Sequence, residues 1–527
     1  MRTRKDAWKL SSSDKTLHWY AVAVSEMQSR KFANPLSWLF QAAVHGYDAG
    51  LYPPIKPGDP PPLAKVQTTY WKKCEHASWW FLPWHRIYVF LFEQMCLDII
   101  RAKGGPEDWA LPYWDYSHPK GTPERTMPDA FRNSTLGGAP NPLFISPRGV
   151  GVNNGKDVGS DKQSENTTCM KSGFYSSPTV SGFGGVTPPG PSSAGKCEAG
   201  PHNPMHEAIG GAQGWMDDTR TAALDPIFWL HHSNIDRLWV VWRNRDPGNV
   251  NPTDANWLDE KFDFYDNHAQ PKKHKPSEVL ETTGPLCDYV YEDTSDPLSR
   301  PVQRIAAPGI HIPPGATESA KIEAEKGGRG AESGEIRQFR GSFLEGLRMS
   351  AQRVPEMVGA SKGPGVKLES SVQSVRVALR PPKRARRTPL RALESTGTQE
   401  LPPRVHLNLE NITAGERPIH TYEVYVDIPE GDSPAEHPEL MAGLIPRFGL
   451  VEASQRDDPH GGQGLNYSFD ITDIVSDLES RHAWNPENLT VTFAPHDMEE
   501  IAATRTEGRA TAKRQPVEVG RVSLYYQ

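Results

Sequence analysis

His202 and His206 stand four residues apart, so a helix carrying both presents two imidazoles to one ion. His232 follows in Asp225-Pro-Ile-Phe-Trp-Leu-His-His232-Ser-Asn-Ile-Asp236-Arg237, on a second helical segment, and completes a three-imidazole set. His45, His76 and His85 form an earlier set, the last inside Phe81-Leu-Pro-Trp-His85-Arg86. Imidazole nitrogen suits copper, zinc, iron and nickel. Neither set brings an Asp or Glu to a ligand position, as a facial-triad iron site requires, and neither shows the blue-copper pattern. A dizinc hydrolase would call for bridging carboxylates, and none is placed. Two all-imidazole sites fit a pair of copper ions. His231 lies about 100° around the helix from His232 and reads as packing or support behind the ligands.

The segments that must position these rings are mostly helical. Ser11-Ser-Ser-Asp14 reads as an N-cap cluster ahead of a helix through Met27. Cys74 to Arg101 is apolar at helical spacing after Pro83, and 201–245 is helical again. Between them, 119–200 is rich in Gly, Ser, Pro and Asn and reads as a long irregular excursion. Phe262–Tyr265 and Tyr289–Tyr291 are short strand-like runs. Residues 314–370 change character, with an amphipathic patch at Ile336–Met349; a strand-like Val375-x-Val377-x-Leu379 and a basic Lys383–Arg387 follow. From Arg404 the chain alternates in Val405–Leu409, Tyr422–Val426, Leu489–Phe493 and Val517–Tyr526, the pattern of a small antiparallel sandwich.

His76-x4-Phe81-Leu-Pro-Trp84-His85-Arg86 and Asp225-Pro-x-Phe228-Trp-x-x-His232-x3-Asp236 resemble the two copper signatures of the tyrosinase family, which includes tyrosinases, catechol oxidases and molluscan-type haemocyanins. Trp257-Leu-Asp and Leu286–Tyr291 look like the linker regions of plant polyphenol oxidases, and 404–527 looks like their C-terminal β-domain. The resemblance implies His45, His76 and His85 on one copper, His202, His206 and His232 on the other, and O2 as co-substrate. It implies a multidomain fold: a mainly α catalytic domain with a four-helix-bundle dicopper core over 1–307, a partly disordered linker over 308–403, and an all-β sandwich over 404–527.

The same resemblance assigns further roles. Cys74, two before His76, looks like the cysteine that some members link to that histidine through a thioether. Glu198 and Asn203 resemble a pair that holds a water able to deprotonate a bound monophenol. Thr219, thirteen before His232, falls at a gate position of variable bulk. Relatives with such a β-domain are often latent, with one of its side chains at the substrate position. The loop Pro438–Pro446 offers Leu440, Met441 and Leu444 for that shield, and 381–403 offers a cleavage point.

The function expected is hydroxylation of monophenols and oxidation of o-diphenols to o-quinones. The alternatives are a catechol or o-aminophenol oxidase without monophenolase activity and a haemocyanin-like oxygen carrier, although carriers commonly repeat the copper unit and this chain has one. Small phenols are the expected partners, with a homo-oligomer and a copper chaperone left open. A net charge of −7 excludes a globally basic nucleic-acid binder, and the basic cluster at 383–387 reads as a solvated linker. No apolar run approaches ~18 residues, so no membrane span is expected. The N-terminus lacks an apolar signal core and the five cysteines are too few for a disulfide framework, so a cytoplasmic location is expected and the sequons at Asn133, Asn166, Asn411, Asn466 and Asn488 read as chance. The 49 prolines, against a usual share of ~5%, mark much of the chain as loop.

Overall fold

In the computed structural model of the chain, residues 1–298, 355–380, 404–455, 462–496 and 516–527 are described, apart from residues 55, 147, 213, 416, 417 and 419. The amphipathic patch at 336–349, the basic cluster at 383–387 and the cleavage segment 381–403 lie outside the described residues.

Five helices build the first core: α1 (Thr16–Ser29), α2 (Trp38–His45), α3 (Phe81–Ala102), α4 (Asn203–Gly210) and α5 (Ile227–Arg245). α1 begins where Asp14 Oδ1 accepts the Thr16 N–H at 2.8 Å, so the last residue of the Ser11–Asp14 cluster does the capping. α3 is apolar almost all round and is buried along nearly its whole length, which makes it the central helix. Pro83 is tolerated because it sits in the first turn, where an N–H has no intrahelical acceptor. No described helix is long and apolar enough to cross a membrane.

Short strands serve this core. β1 (Arg2–Arg4) opens the chain, β2 (Phe262–Tyr265) and β3 (Pro271–His274) form an antiparallel hairpin, and β4 (Tyr289–Tyr291) runs parallel to β1. Charge buried between them locks the helices together. Asp236 on α5 accepts from Arg86 Nε on α3 at 2.5 Å, and from the hydroxyls of Tyr289 at 2.6 Å and Tyr291 at 2.5 Å. Arg4 joins through Glu93 at 2.7 Å and stacks over the Tyr289 ring at 3.5 Å. At the other end of α5, Asp225 takes Arg148 through two bonds of 2.7 and 2.8 Å and accepts the Ile227 N–H at 3.1 Å. The two acids of the second motif are therefore the anchors of its helix.

Arg148 comes from the 119–200 excursion. That segment is irregular, as its composition predicts, but it is packed. Phe131, Leu143 and Val152 enter the helical core, while Met170, Tyr175 and Phe183 join Trp239, Trp242 and Trp257 in a second cluster.

The β-domain is a sandwich of two sheets. One runs β6 (Val366–Leu368), β13 (Val517–Tyr526), β8 (Val405–Thr413), β11 (Leu465–Asp470), with β5 (Glu356–Ala360) also on β13. The other runs β7 (Gln373–Ala378), β12 (Asn488–His496), β9 (Thr421–Val426), β10 (Met441–Ile445). Pairs such as Leu407↔Leu524 and Val424↔Phe493 turn one apolar face of each sheet inward. The linker expected over 308–403 is corrected here: β5, β6 and β7 lie within it and pair with the C-terminal strands, so the β-domain begins near residue 355. The sequence pattern shows only short runs there, and each becomes a strand because a long partner strand is waiting.

Candidate metal centre

Four elements and one loop deliver the six histidines. His45 is the last residue of α2, and His85 lies in the second turn of α3. His76 sits in the loop before α3, His202 caps α4 with His206 one turn on, and His232 lies on α5. Gly46 follows His45 because a Cβ there would stand 2.3 Å from the Thr219 carbonyl oxygen, and that carbonyl is what orients the ring. The side chains converge as two groups: His45, Cys74, His76 and His85, and His202, His206, His231 and His232. In each group the ligand atoms all lie within 4.8 Å of one another. The groups abut, with the rings of His85 and His232 stacked 4.4 Å apart and those of His76 and His202 at 5.8 Å.

Hydrogen bonds fix which nitrogen four of the rings offer. Nδ1 of His45 bonds the Thr219 carbonyl at 2.9 Å, that of His85 the Phe81 carbonyl at 2.7 Å and that of His206 the Met216 carbonyl at 2.8 Å. Nδ1 of His202 bonds Asn203 Oδ1 at 2.7 Å. A proton held on Nδ1 leaves Nε2 as a bare lone pair aimed inward. Nε2 of His45 and His202 is buried with no hydrogen-bond partner among the described residues, and Nε2 of His206 stands 3.4 Å from Nε2 of His232. Burial pushes His45 down to about 4, and it pushes His85, His202, His206 and His232 well below their usual range with help from neighbouring imidazoles. These five rings are therefore neutral at pH 7, the form that binds metal. Six convergent imidazoles, with Nε2 of His45 and His202 buried and unpartnered among the described residues, fit two copper ions. His231 gives its Nδ1 to the Tyr116 hydroxyl at 3.0 Å, and its ring lies 4.7 Å from that of His206, a supporting place behind the ligands.

The other expected site residues gather at the rim. Cys74 Sγ lies 3.2 Å from His85 Nε2 and 3.4 Å from His76 Nε2. Glu198 is buried, not solvated, and its Oε1 accepts the Ala77 N–H at 2.7 Å. Burial raises its carboxyl to about 8 against the pull of the Ala77 and Gly195 amides. Its Oε2 makes no well-formed hydrogen bond among the described residues. Asn203 follows His202, with Nδ2 3.4 Å from the hydroxyl of Tyr467 in the β-domain. Thr219 holds His45 through its carbonyl, and its methyl would lie 3.7 Å from a Cβ at Gly449.

The three shield candidates are corrected. Pro438–Pro446 is not a protruding loop: it forms a turn and then β10. Leu440 packs with Tyr425, Leu478 and Ala494, Met441 borders the same cluster, and Leu444 is buried opposite Glu423 in the β9–β10 pair. The side chain at the imidazoles is Phe448. Its ring stacks on His206 at 4.0 Å and 16°, and meets His76 and His202 edge-on at 5.6 and 5.8 Å. Glu207, next to His206, accepts the Phe448 N–H at 2.9 Å and also bonds the Arg447 N–H and the Thr421 hydroxyl. Arg447 then pairs with Asp217 at 2.9 Å and donates to the Gly211 carbonyl at 3.1 Å. Sequence reasoning missed this set. The available signal was Pro446-Arg-Phe-Gly449, where the proline ends a strand and Gly449 turns at φ +74°.

Three sequence models match the chain. The common central domain of tyrosinase matches residues 35–245, the polyphenol oxidase middle domain matches 251–304, and a domain of unknown function (DUF7868) matches 354–527. Tyrosinase HcTyr1 of Hahella sp. (strain CCB-MM4) is 32% identical over 544 residues, which cover 100% of this chain and 99% of that protein. The latent chloroplastic polyphenol oxidase of Prunus armeniaca is 29% identical over 317 residues, 55% of this chain and 49% of that protein, so the chain spans about half the length of that plant relative. Among solved structures, latent apple tyrosinase superposes with a TM-score of 0.59 at 22% identity, covering 100% of this chain and 97% of that one. A recombinant latent aurone synthase does so at 0.62 and 22%, covering 100% and 90%; at such identity the likeness is one of fold. Likeness to a tyrosinase over the full length, with the matched central domain enclosing all six imidazoles, places the chain in the tyrosinase and polyphenol oxidase family, copper oxidoreductases with a dinuclear type 3 centre.

Proposed function

We propose that this protein hydroxylates monophenols and oxidises o-diphenols to o-quinones with O2, and that its β-domain keeps it latent. The observation that carries the catalytic half is Glu198: a buried carboxyl four residues before His202 and five before Asn203, whose Oε1 accepts the N–H of Ala77, next to ligand His76, and whose Oε2 makes no well-formed hydrogen bond among the described residues. The copper pair, when bound, supplies the two-electron chemistry with O2. The six imidazoles would hold it, with His45, His85, His202 and His206 oriented by the bonds on their Nδ1. In its ionised form Glu198 takes the phenolic proton through a water shared with Asn203: the substrate O–H breaks and a carboxyl O–H forms, leaving a phenolate to bind, so hydroxylation should rise as pH passes through about 8. Thr219 leaves the approach open beside His45.

Latency rests on Phe448, whose ring stands flat on His206 where a substrate ring would lie. Cys74 is placed to form a thioether to the His76 ring. One S–H and one ring C–H are lost, the S–C bond forms, and two electrons and two protons pass to O2. That bond would stop the ring of His76, the one ligand that no helix carries, from turning.

Glu198→Gln tests the hydroxylase assignment. Tyramine hydroxylation should fall at least tenfold while 4-methylcatechol oxidation falls less than threefold. Equal losses would reduce Glu198 to a structural acid, and a wild-type chain inert to tyramine would leave a catechol oxidase.

A further inference from the structure

Asn203 has one side-chain group to spare. Its Oδ1 is engaged by His202 Nδ1 at 2.7 Å, which leaves the two N–H donors of Nδ2 as the side that can meet a phenolic oxygen or the oxygen of a water. In the folded chain the Tyr467 hydroxyl is already there, at 3.4 Å. Tyr467 is built into place. It lies on β11, is 1% exposed and stacks on Phe469 at 6.3 Å and 7°. Around it, Ala77 and Ala194 of the catalytic domain enter the β-domain's own apolar core. The adjoining backbone is tied across the same boundary, with Ala194 N–H and Ser193 Oγ both donating to the Asn466 carbonyl, at 3.2 and 3.0 Å.

Two aromatic side chains of the β-domain thus reach the centre at different points. Phe448 covers the imidazole faces, and Tyr467 brings a phenol hydroxyl to the amide of the pair assigned to monophenol deprotonation. The second contact resembles the substrate's own: a phenolic oxygen held at a buried amide.

We propose that Tyr467 is a specificity-determining residue. Its hydroxyl takes one of the two Asn203 amide donors and so competes with incoming monophenols for the Glu198–Asn203 pair, while o-diphenol oxidation is limited by Phe448 alone. Docking of the β-domain then does more than lower turnover; it biases the chain towards o-diphenols. This rests on the Glu198–Asn203 assignment above.

The test uses the full copper-loaded chain, wild type and Phe448→Ala, each with and without Tyr467→Phe. The substitution keeps the stacked ring and removes the hydroxyl. In both backgrounds Tyr467→Phe should raise the ratio of kcat/KM for tyramine to that for 4-methylcatechol at least threefold, at unchanged copper content. Tyr467→Met, which lacks the hydroxyl but keeps bulk, should shift the ratio the same way and decides the matter if Tyr467→Phe does not fold. Phe448→Ala alone should raise both substrates together. Glu198→Gln in parallel separates the two claims. If it depresses tyramine selectively while the Tyr467 variants leave the ratio unmoved, or raise both substrates equally, Tyr467 is only part of the cover and the proposal is overturned. If Glu198→Gln lowers both equally, the deprotonating pair is wrong and the inference falls with it.

Discussion

The helical core and the β-domain use buried charge in opposite ways. In the core, Asp236 and Asp225 each bind an arginine wholly inside one domain, and the helices they join carry the imidazoles. At the boundary, Glu207 and Asp217 of the catalytic side hold Arg447 and the backbone beside Phe448, and Lys196 faces Asp470 at 3.9 Å. The first set fixes geometry for good. The second fixes a contact whose loss leaves both apolar cores in place. A scaffold must not move, whereas a cover is useful only if it can. The exchange of side chains shows the boundary's intimacy: Phe448 counts in the helical core, and Ala77, next to ligand His76, counts in the β-domain core.

The largest effect separating the two regions is expected from Asp236→Ala. It leaves Arg86 and Arg4 buried without that carboxylate, at a cost of about 3–5 kcal/mol. Calorimetry should show the catalytic domain melting well below wild type. A melting temperature within ~2 °C of wild type would contradict the anchoring role.

Phe448→Ala should raise kcat/KM for bulky phenols by about tenfold, equivalent to ~1.4 kcal/mol, with copper content intact. Steady-state rates with a small and a large catechol check it. No change on either would deny that the ring covers the centre.

Acid should loosen the boundary more gently. Burial, then the charge of Lys196, lowers His406 to about 3, and Asp470 and Arg404 also face it. A solvated histidine takes its proton near 6.5. The released state therefore binds the extra proton first, and docking weakens as pH falls through 6.5. Asp470, which burial would raise, is held below the usual carboxylate range by Lys196, His406 and Arg404, so its contribution is lost below about pH 4 in the same direction. Protease susceptibility of the 355–527 region should rise between pH 7 and 5. A flat profile would contradict this. The smallest effect belongs to Met441→Ala, which should leave turnover within twofold of wild type, because Met441 packs at the edge of the β-domain and not on the imidazoles.

How much of this the sequence carried follows the same division. The six ligands were legible because His202 and His206 stand one helical turn apart and because the motifs around His76, His85 and His232 resemble the copper signatures of the tyrosinase family. The strands after 404 were legible because alternation is local. Asp225 and Asp236 were visible in the motif, but their jobs were not, since Arg148 lies 77 residues from Asp225 and Arg86 lies 150 from Asp236. β5 and β6 were hidden because each is short and depends on β13 for its pairing, whereas β7 showed in the alternation of Val375 and Val377. Phe448 and Tyr467 were hidden for a different reason: nothing local distinguishes an aromatic that packs at home from one that packs on a neighbour. Leu440 and Leu444 had the right chemistry and lie in the β-domain's own packing.

The central claim, a copper pair that turns over phenols with O2 in this chain, is tested most directly by titrating metal-free protein with copper while following O2 uptake with tyramine and 4-methylcatechol. The account predicts no activity until copper binds, saturation at two copper ions per chain, activity on both substrates, none with zinc, and half the copper with no turnover in His206→Ala. Full turnover at one copper per chain, or in zinc-loaded protein, would contradict it.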